Sequence, residues 1–482
     1  MYMLPAPGHE SFGKVNLHNA GAIRENRHMS GYPELIALGE EEALLKESVH
    51  RFAAEVIRPA ARALDRMAPE ERIAPDSPYF DVVGKFRELG YQQLIGLMPA
   101  EPGGEGTSGE TGSAAQLEAP SALGQSILLE ELGWGSMGLA TALAVGALPF
   151  ALVHRFGTAS LNDRIIDEWL AASPSKSATA EAHHPPLHGC WGATEPDHGS
   201  DGIAWLRERE MNHPGRQQVV AEQDGDAWIV NGQKSAWVSS APTATHCALH
   251  VQVSGGSKFE DGMLLFVPLD LPGVRRGPPI AMLGARDDPQ GALYFDSVRV
   301  PGDHVIVPAG PFYPVFVDQL LCNTSASVAN IAVGVARAAF EEALAYARTR
   351  VQGGTTIVHH KNIQLTLYSM FEKIETARAY ARKVMAHVYE KAGTGLPFAL
   401  SRHTRVAQIY AKRIAFEVAH DAVQICGAYG LSDESLVEKL FRDARSMLIE
   451  DGTLEVLSLD AANDLVDNYE KENYDPQGVM TP

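Results

Sequence analysis

Cysteine is scarce: the 482-residue chain has four, Cys190, Cys247, Cys322 and Cys426, and no two of them form a C-x-x-C pair. That argues against a disulfide framework and the usual zinc spacings, and it fits a reducing cytoplasm. Basic charge is also short, with 40 Lys and Arg against 60 Asp and Glu, a formal net charge of -20. Without a dense Lys/Arg stripe the chain lacks the means to neutralise many phosphates, so nucleic acid is not an expected partner. No run of 18 or more apolar residues occurs, and the start, MYMLPAPGHESFGKVNLHNAGA, has no basic stretch leading into an apolar one. Neither a membrane span nor a secretory leader is expected. His183 with His184, and His359 with His360, are adjacent rather than three or four residues apart, which does not converge ligands, so no metal is expected.

What remains is ordinary globular composition, 45% hydrophobic and 21% charged, in a chain too long for one core. The periodicity predicts an α+β multidomain architecture in the order helix, sheet, helix. After an N-terminal extension (1–39), residues 40–172 read as a helical domain, with three- and four-residue apolar steps in ALLKESVHRFAAEVIRPAARAL. Residues 173–310 change to period two. Cys247, Leu249, Val251 and Val253 alternate as on a half-buried strand, QQVVAEQDGDAWIVNG reads as two strands about an Asp-Gly turn, and GALYFDSVRVP as another strand; an antiparallel β domain is expected. Residues 311–470 return to the helical period, and a short tail (471–482) follows. Ile363, Leu367, Met370, Ile374, Ala377, Ala381 and Val384 make one stripe and Ala407, Ala411, Ile414, Val418, Ala422 and Ile425 a second, as in a four-helix bundle.

Gly104, Gly106 and Gly109 spell GxGxxG, but the strand, tight turn and helix that a dinucleotide site requires are not evident in the sequence around them, so they read as loop. More specific are WGATEPDHGSD (191–201) and NGQKSAWVSS (231–240). Together with GALYFDSVRVP, RVQGG, QICGAYGLSDESLVEKLFRDAR and EDGTLEV, all in family order, they resemble the flavin-dependent acyl-CoA dehydrogenases.

The resemblance implies FAD as cofactor. It assigns Trp191, Ala193 and Thr194 to the isoalloxazine ring, Ser200 to the pyrophosphate, Trp237 to one ring face and Ser239, where the family has threonine, to the hydride-accepting N5 region. It gives Arg350 to the pyrophosphate of a neighbouring subunit, Gln424 and Gly427 to the adenine half from the partner, and Thr453 and Glu455 to further cofactor contacts. A homo-oligomer is thereby implied, a dimer or a tetramer. Asp451 falls where the family has the glutamate that removes the substrate α proton, immediately before Gly452 and Thr453. The adjacent Glu450 is expected in a solvated or structural role.

The implied partners are an acyl-CoA or other acyl thioester, branched or alicyclic in view of the shorter base, and an electron-transfer flavoprotein or similar acceptor. Three departures stand out. Two residues, Ser235 and Ala236, separate Lys234 from Trp237 where the family has one, so a bulge is expected. Gly353 replaces an aromatic residue. The segment Asn323 to Ala336 lacks the arginine that many relatives place near the CoA portion. Two other functions stay open: a flavin oxidase or monooxygenase on this fold, as in the nitroalkane-oxidase-like relatives that also use aspartate, and a non-catalytic flavin- or thioester-binding protein.

Overall fold

A computed structural model describes residues 32–95, 120–170, 187–200, 217–391 and 401–468. The glycine run 104–109 and the pair His183 and His184 lie outside the described residues.

The first helical layer begins with α1 (Glu40–Phe52), continues through a π turn (Ala53–Ile57) into α2 (Arg58–Arg66), and then forms α3 (Pro78–Glu88) and α4 (Tyr91–Leu94). The π turn sits just ahead of Pro59, whose missing N–H interrupts the regular ladder. Helices α5 (Ala122–Gly135), α6 (Met137–Phe156) and α7 (Ala159–Leu170) complete this part. By length and composition α6 could cross a membrane, but 72% of its most apolar window is buried against the rest of the protein, as in a core helix.

The middle of the chain is an eight-stranded sheet: β1 (Gly189–Gly192), β2 (Val220–Asp224), β3 (Ala227–Ser239), β4 (His246–Val253), β5 (Gly262–Pro268), β6 (Val274–Arg276), β7 (Gln290–Pro301) and β8 (Val305–Val307). Its order is β6-β7-β3-β2-β4-β5-β8, with β1 paired to β4. Most pairs are antiparallel, as expected, and β2 joins β3 through a two-residue turn, which is Gly225-Asp226 rather than Asp-Gly because Asp224 still pairs with Ala227. The sheet is nonetheless mixed, because β4 runs parallel to both β1 and β2. Strand β4 is also not half-buried. Cys247, Leu249 and Val251 line the core internal to the sheet, while Ala248 on the opposite face meets the helices, so both faces are covered.

The C-terminal part holds α8 (Phe312–Thr349), a two-stranded hairpin (β9, Val351–Gln352, and β10, Thr355–Thr356), α9 (Lys361–Lys391), α10 (Ser401–Cys426), α11 (Leu436–Met447) and α12 (Leu454–Asn468). Helices α8, α9 and α10 pack on one another, and α11 and α12 pack on α10. The second apolar stripe is buried throughout; in the first, Ile363 at the helix start is only partly buried.

Helix α8 also lies directly on α5. A Cβ at Gly334 would stand 2.1 Å from Glu130 O, so only glycine permits that approach. Just beyond it the fully buried Arg337 donates from Nη1 to Glu130 Oε1 (2.6 Å) and Glu131 Oε1 (2.7 Å), while Arg378 donates to Glu130 (2.6 Å) and His50 Nδ1 lies 2.8 Å from Glu131. Burial alone would raise both carboxyls. The arginines hold Glu130 below the usual range, and Arg337 with His50 brings Glu131 down to about 2. Arg337→Met leaves the two buried glutamates short of a cation. It is expected to cost about 3–5 kcal/mol, read as a lower urea midpoint; an unchanged midpoint would refute this account of the junction. Because these carboxyls titrate lower when folded, their stabilisation is present above about pH 4.3 and fades as pH falls towards 2.

Candidate active site

The two sequence signatures are fastened together by a pair of residues that the sequence did not single out for this role. After β1 the chain turns at Glu195, whose N–H donates to His198 O (2.8 Å). The Glu195 carboxylate is buried and accepts from Lys234 Nζ on β3 (2.6 Å) and from the Val219 N–H (3.0 Å). Lys234 is itself fully buried; desolvation lowers its pKa and Glu195 opposes the fall. Thr194 O accepts from the Ser235 N–H (3.0 Å), so the segment carrying Trp191, Ala193 and Thr194 lies along β3.

Strand β3 then bulges. Lys234 pairs with Leu293 and Val238 with Gly291, leaving Ser235, Ala236 and Trp237 opposite the single residue Ala292. The bulge expected from residue spacing is present, and it turns Trp237 outward, 59% exposed. Beyond it, Ser239 Oγ donates to Asp288 Oδ2 (2.7 Å).

Asp288 belongs to a turn anchored in all three parts of the chain. Its neighbour Asp287 accepts from Ser136, between α5 and α6, and from Lys439 Nζ on α11 (3.0 Å). Lys439 also donates to Asp443 (2.5 Å), which accepts from the Ala285 N–H (2.8 Å).

Against these elements stands the turn between α11 and α12. Asp451 (φ 53°) and Gly452 (φ 93°) are both left-handed, a conformation that aspartate tolerates better than most side chains and that suits glycine. Three successive carbonyls of the turn are held from α10: Lys412 Nζ donates to Glu450 O (2.5 Å) and Gly452 O (3.1 Å), and Gln408 Nε2, one helical turn earlier, to Asp451 O (2.9 Å). Thr453 begins α12, its Oγ1 accepting from the Val456 N–H (3.3 Å), and its own N–H donates to Ser200 Oγ (3.1 Å). The TEPxxGSD-like loop and the Asp-Gly-Thr turn are therefore in direct contact.

Asp451, Glu450 and Lys412 line a small cleft with Met137, Thr141, Val328, Ile331 and Met447. Asp451 is open to that cleft but ringed by protein, and desolvation pushes its carboxyl above the ordinary aspartate range while Lys412 opposes the rise. Lys412 in turn is lowered to about 8 by burial, against the pull of Asp451 and Glu450.

Of the two roles expected for Glu450, solvated or structural, the solvated one does not fit its Oε1. Its Oε1 is buried without a hydrogen-bond partner, and burial together with Asp288, Asp451 and Asp443 pushes its carboxyl well up. Asp288, Glu450 and Asp451 thus form a set of mutually repelling acids that favours held protons.

The remaining site residues fall elsewhere. Arg350 is exposed at the end of α8, and Gln424 and Gly427 are exposed at the end of α10. Tyr346 stacks on Tyr429 (5.5 Å, 7°), which puts these three residues at one end of the bundle. Helix α11, 12 residues or about 18 Å long, leads from there to the Asp451 turn. Glu455 is exposed in the first turn of α12. In place of the arginine absent from 323–336, Arg405 reaches across from α10, donating to Ser325 Oγ and to Asp460 (2.9 Å), and is buried there.

The residues near the cleft suit a flavin. The Trp191 indole N–H is buried with no protein acceptor, the Trp237 ring is exposed, and the Ser200 hydroxyl meets the Thr453 N–H of the turn that carries Asp451. The fold is helical, sheet, helical in order, and residues of all three parts meet around Asp287, Asp288 and the Asp451 turn.

The family follows from comparison. Residues 39–172, 190–298 and 316–465 match the acyl-CoA dehydrogenase N-terminal, middle and C-terminal domains respectively. The probable acyl-CoA dehydrogenase YngJ of Bacillus subtilis is 30% identical over 89% of this chain and 99% of its own length. Butyryl-CoA dehydrogenase from Megasphaera elsdenii shares the fold (TM-score 0.71, 22% identity, 89% of this chain and 99% of that one). So does a glutaryl-coenzyme A dehydrogenase solved with glutaryl-CoA (TM-score 0.72, 24% identity, 90% and 96%). The chain belongs to the acyl-CoA dehydrogenase family and is a FAD-dependent oxidoreductase.

Proposed function

We propose that this enzyme dehydrogenates an acyl thioester between its α and β carbons, with Asp451 as the base for the α proton. The observation that carries the reading is the placement of Asp451: a carboxyl open to the cleft, fixed by a clamped left-handed turn, and raised towards the basicity the reaction needs. Bound FAD supplies the acceptor for the β hydride. Trp191, Ala193 and Thr194 would hold its ring, Ser200 its pyrophosphate, Trp237 would cover a ring face, and Ser239 would face N5. Ser200 already accepts from Thr453, so the cofactor loop and the base turn are positioned by one another.

The acyl group is proposed to be branched or alicyclic, since a base one methylene shorter is met either by a backbone displaced towards the substrate or by a bulkier chain pressing towards it, and the carrier is proposed to be coenzyme A. Electron-transfer flavoprotein is the proposed acceptor and the cytoplasm the proposed location. Arg350, Gln424, Gly427 and Glu455 are proposed to reach cofactor across a subunit boundary. Exposed Leu365 and Tyr368 on α9 and Val406 on α10 support assembly into a homotetramer.

The test is an anaerobic thioester panel read by flavin absorbance. Straight-chain, branched and alicyclic acyl-CoAs are each added to the FAD-loaded protein. Rapid bleaching by one class, with turnover by an artificial acceptor, is expected. Fast turnover with oxygen and little with the acceptor would instead establish an oxidase, and a flavin untouched by every thioester would overturn the reading.

A further inference from the structure

We propose that Asp288 is a positioning residue for the cofactor, deciding through Ser239 whether that hydroxyl can donate a hydrogen bond to the hydride-accepting side of the flavin ring. The inference rests on the placement of Ser239 proposed above.

The geometry is specific. Ser239 Oγ lies 2.7 Å from Asp288 Oδ2, which Gln290 Nε2 also approaches at 3.3 Å, and Asp288 Oδ1 is buried with no partner. A serine hydroxyl has one proton to give. With Asp288 ionised, that proton is committed to the carboxylate, and Ser239 presents only lone pairs to a ring nitrogen that is itself an acceptor. With Asp288 protonated, Oδ2–H donates to Ser239 Oγ and releases the serine proton towards the ring. One proton on a residue behind the serine therefore sets the polarity of the bond in front of it.

The surroundings make both forms accessible near neutrality. Asp288 is fully buried, and Asp287 and Asp451 repel its charge; Glu450, from the same turn as Asp451, faces it as well. The hydrogen bonds from Ser239 and Gln290 pull the other way, and the outcome is a carboxyl raised to about 7. On α3, Tyr79 is the near titratable group; its hydroxyl is engaged with His188 (2.7 Å) and Ser240 (3.1 Å), and burial pushes it up beyond the working range. Of the nearby cations, Lys439 is engaged by Asp287, Asp443 and Ser136, and Lys412 by the carbonyls of the Asp451 turn. Neither is hydrogen-bonded to Asp288.

The experiment follows the absorption spectrum of the oxidised, FAD-loaded protein through a pH titration without substrate, so that no turnover enters the readout. The wild type is expected to pass through one spectral transition near neutrality. Asp288→Asn keeps the shape, and its amide can donate permanently to Ser239, so this variant should show the acid-form spectrum at every pH. Ser239→Ala should abolish the transition by removing the relay, and Asp451→Asn should retain it, moved to lower pH because one repelling charge is gone. A transition that persists in Asp288→Asn, or a bound wild-type flavin that does not titrate, overturns the proposal. Loss in Asp288→Asn but retention in Ser239→Ala overturns the serine relay. If the flavin binds and bleaches with thioester while these spectra fail, the dehydrogenase reading stands and this inference alone falls; failure of FAD to bind removes both.

Discussion

Asp451→Asn is expected to lower the rate of flavin reduction by about 10²–10⁴-fold, the usual contribution of a positioned base, or about 3–5 kcal/mol of barrier at 1.36 kcal/mol per tenfold. FAD uptake and the unfolding midpoint should scarcely move. The asparagine keeps the shape and tolerates the left-handed backbone at φ 53°, and the turn is held by its carbonyls, which the substitution leaves in place. The pH profile adds a second signature. A base works when deprotonated, so the wild-type reductive rate should climb as pH rises through the Asp451 pKa, which burial places above the ordinary aspartate value. In the variant that limb should vanish. Stopped-flow absorbance under anaerobic conditions reads both. Wild-type rates in Asp451→Asn would transfer the role of base, with Glu450 the first candidate because its carboxyl lines the same cleft and is raised further.

How much of this could be read from the chain depends on how far apart the cooperating residues are. Helical stripes are local, so Met370, Ile374 and Ala377 announced a buried seam, and the seam is buried. The bulge was legible as a count, one residue too many between Lys234 and Trp237, and the register confirms it. Burial on both faces of β4 was not legible, because alternation reports only the face with bulky side chains; the other carries Ala248, His250 and Gln252, and what covers it comes from distant helices. Glu195 and Lys234 are 39 residues apart, and nothing in either local pattern says that they meet without solvent.

The burial of Glu450 Oε1 was not legible for a related reason. In sequence Glu450 is one more acid in an acidic chain, and only the turn geometry shows that its Oε1 is buried and that its carboxyl is repelled by Asp288 and Asp451. Asp288 stood in RDDP with no motif to mark it. Its interest comes from its hydrogen bond with Ser239, on β3.

Lys412 is the residue whose loss should reach furthest beyond its own position. It was hidden in the second apolar stripe, between Ala411 and Ile414, and the local signal was a row of polar residues at three- and four-residue steps, Arg405, Gln408 and Lys412, beside that stripe. Lys412→Met removes both hydrogen bonds from Nζ, leaving Glu450 O and Gly452 O without their donor. At about 1–3 kcal/mol for each buried carbonyl left unpaired, the expected destabilisation is about 2–6 kcal/mol.

The electrostatic consequence has a definite sign. The lysine cation lowers the Asp451 pKa, so without it the base becomes harder to deprotonate, and the rising limb of the reductive rate should move to higher pH. Asp451→Asn abolishes that limb with stability intact, whereas Lys412→Met should displace it and lower the unfolding midpoint together. If Lys412→Met instead kept the wild-type midpoint and pH profile, the clamp would be incidental, and the left-handed turn at Asp451 would have to be held by Gln408 and by packing alone.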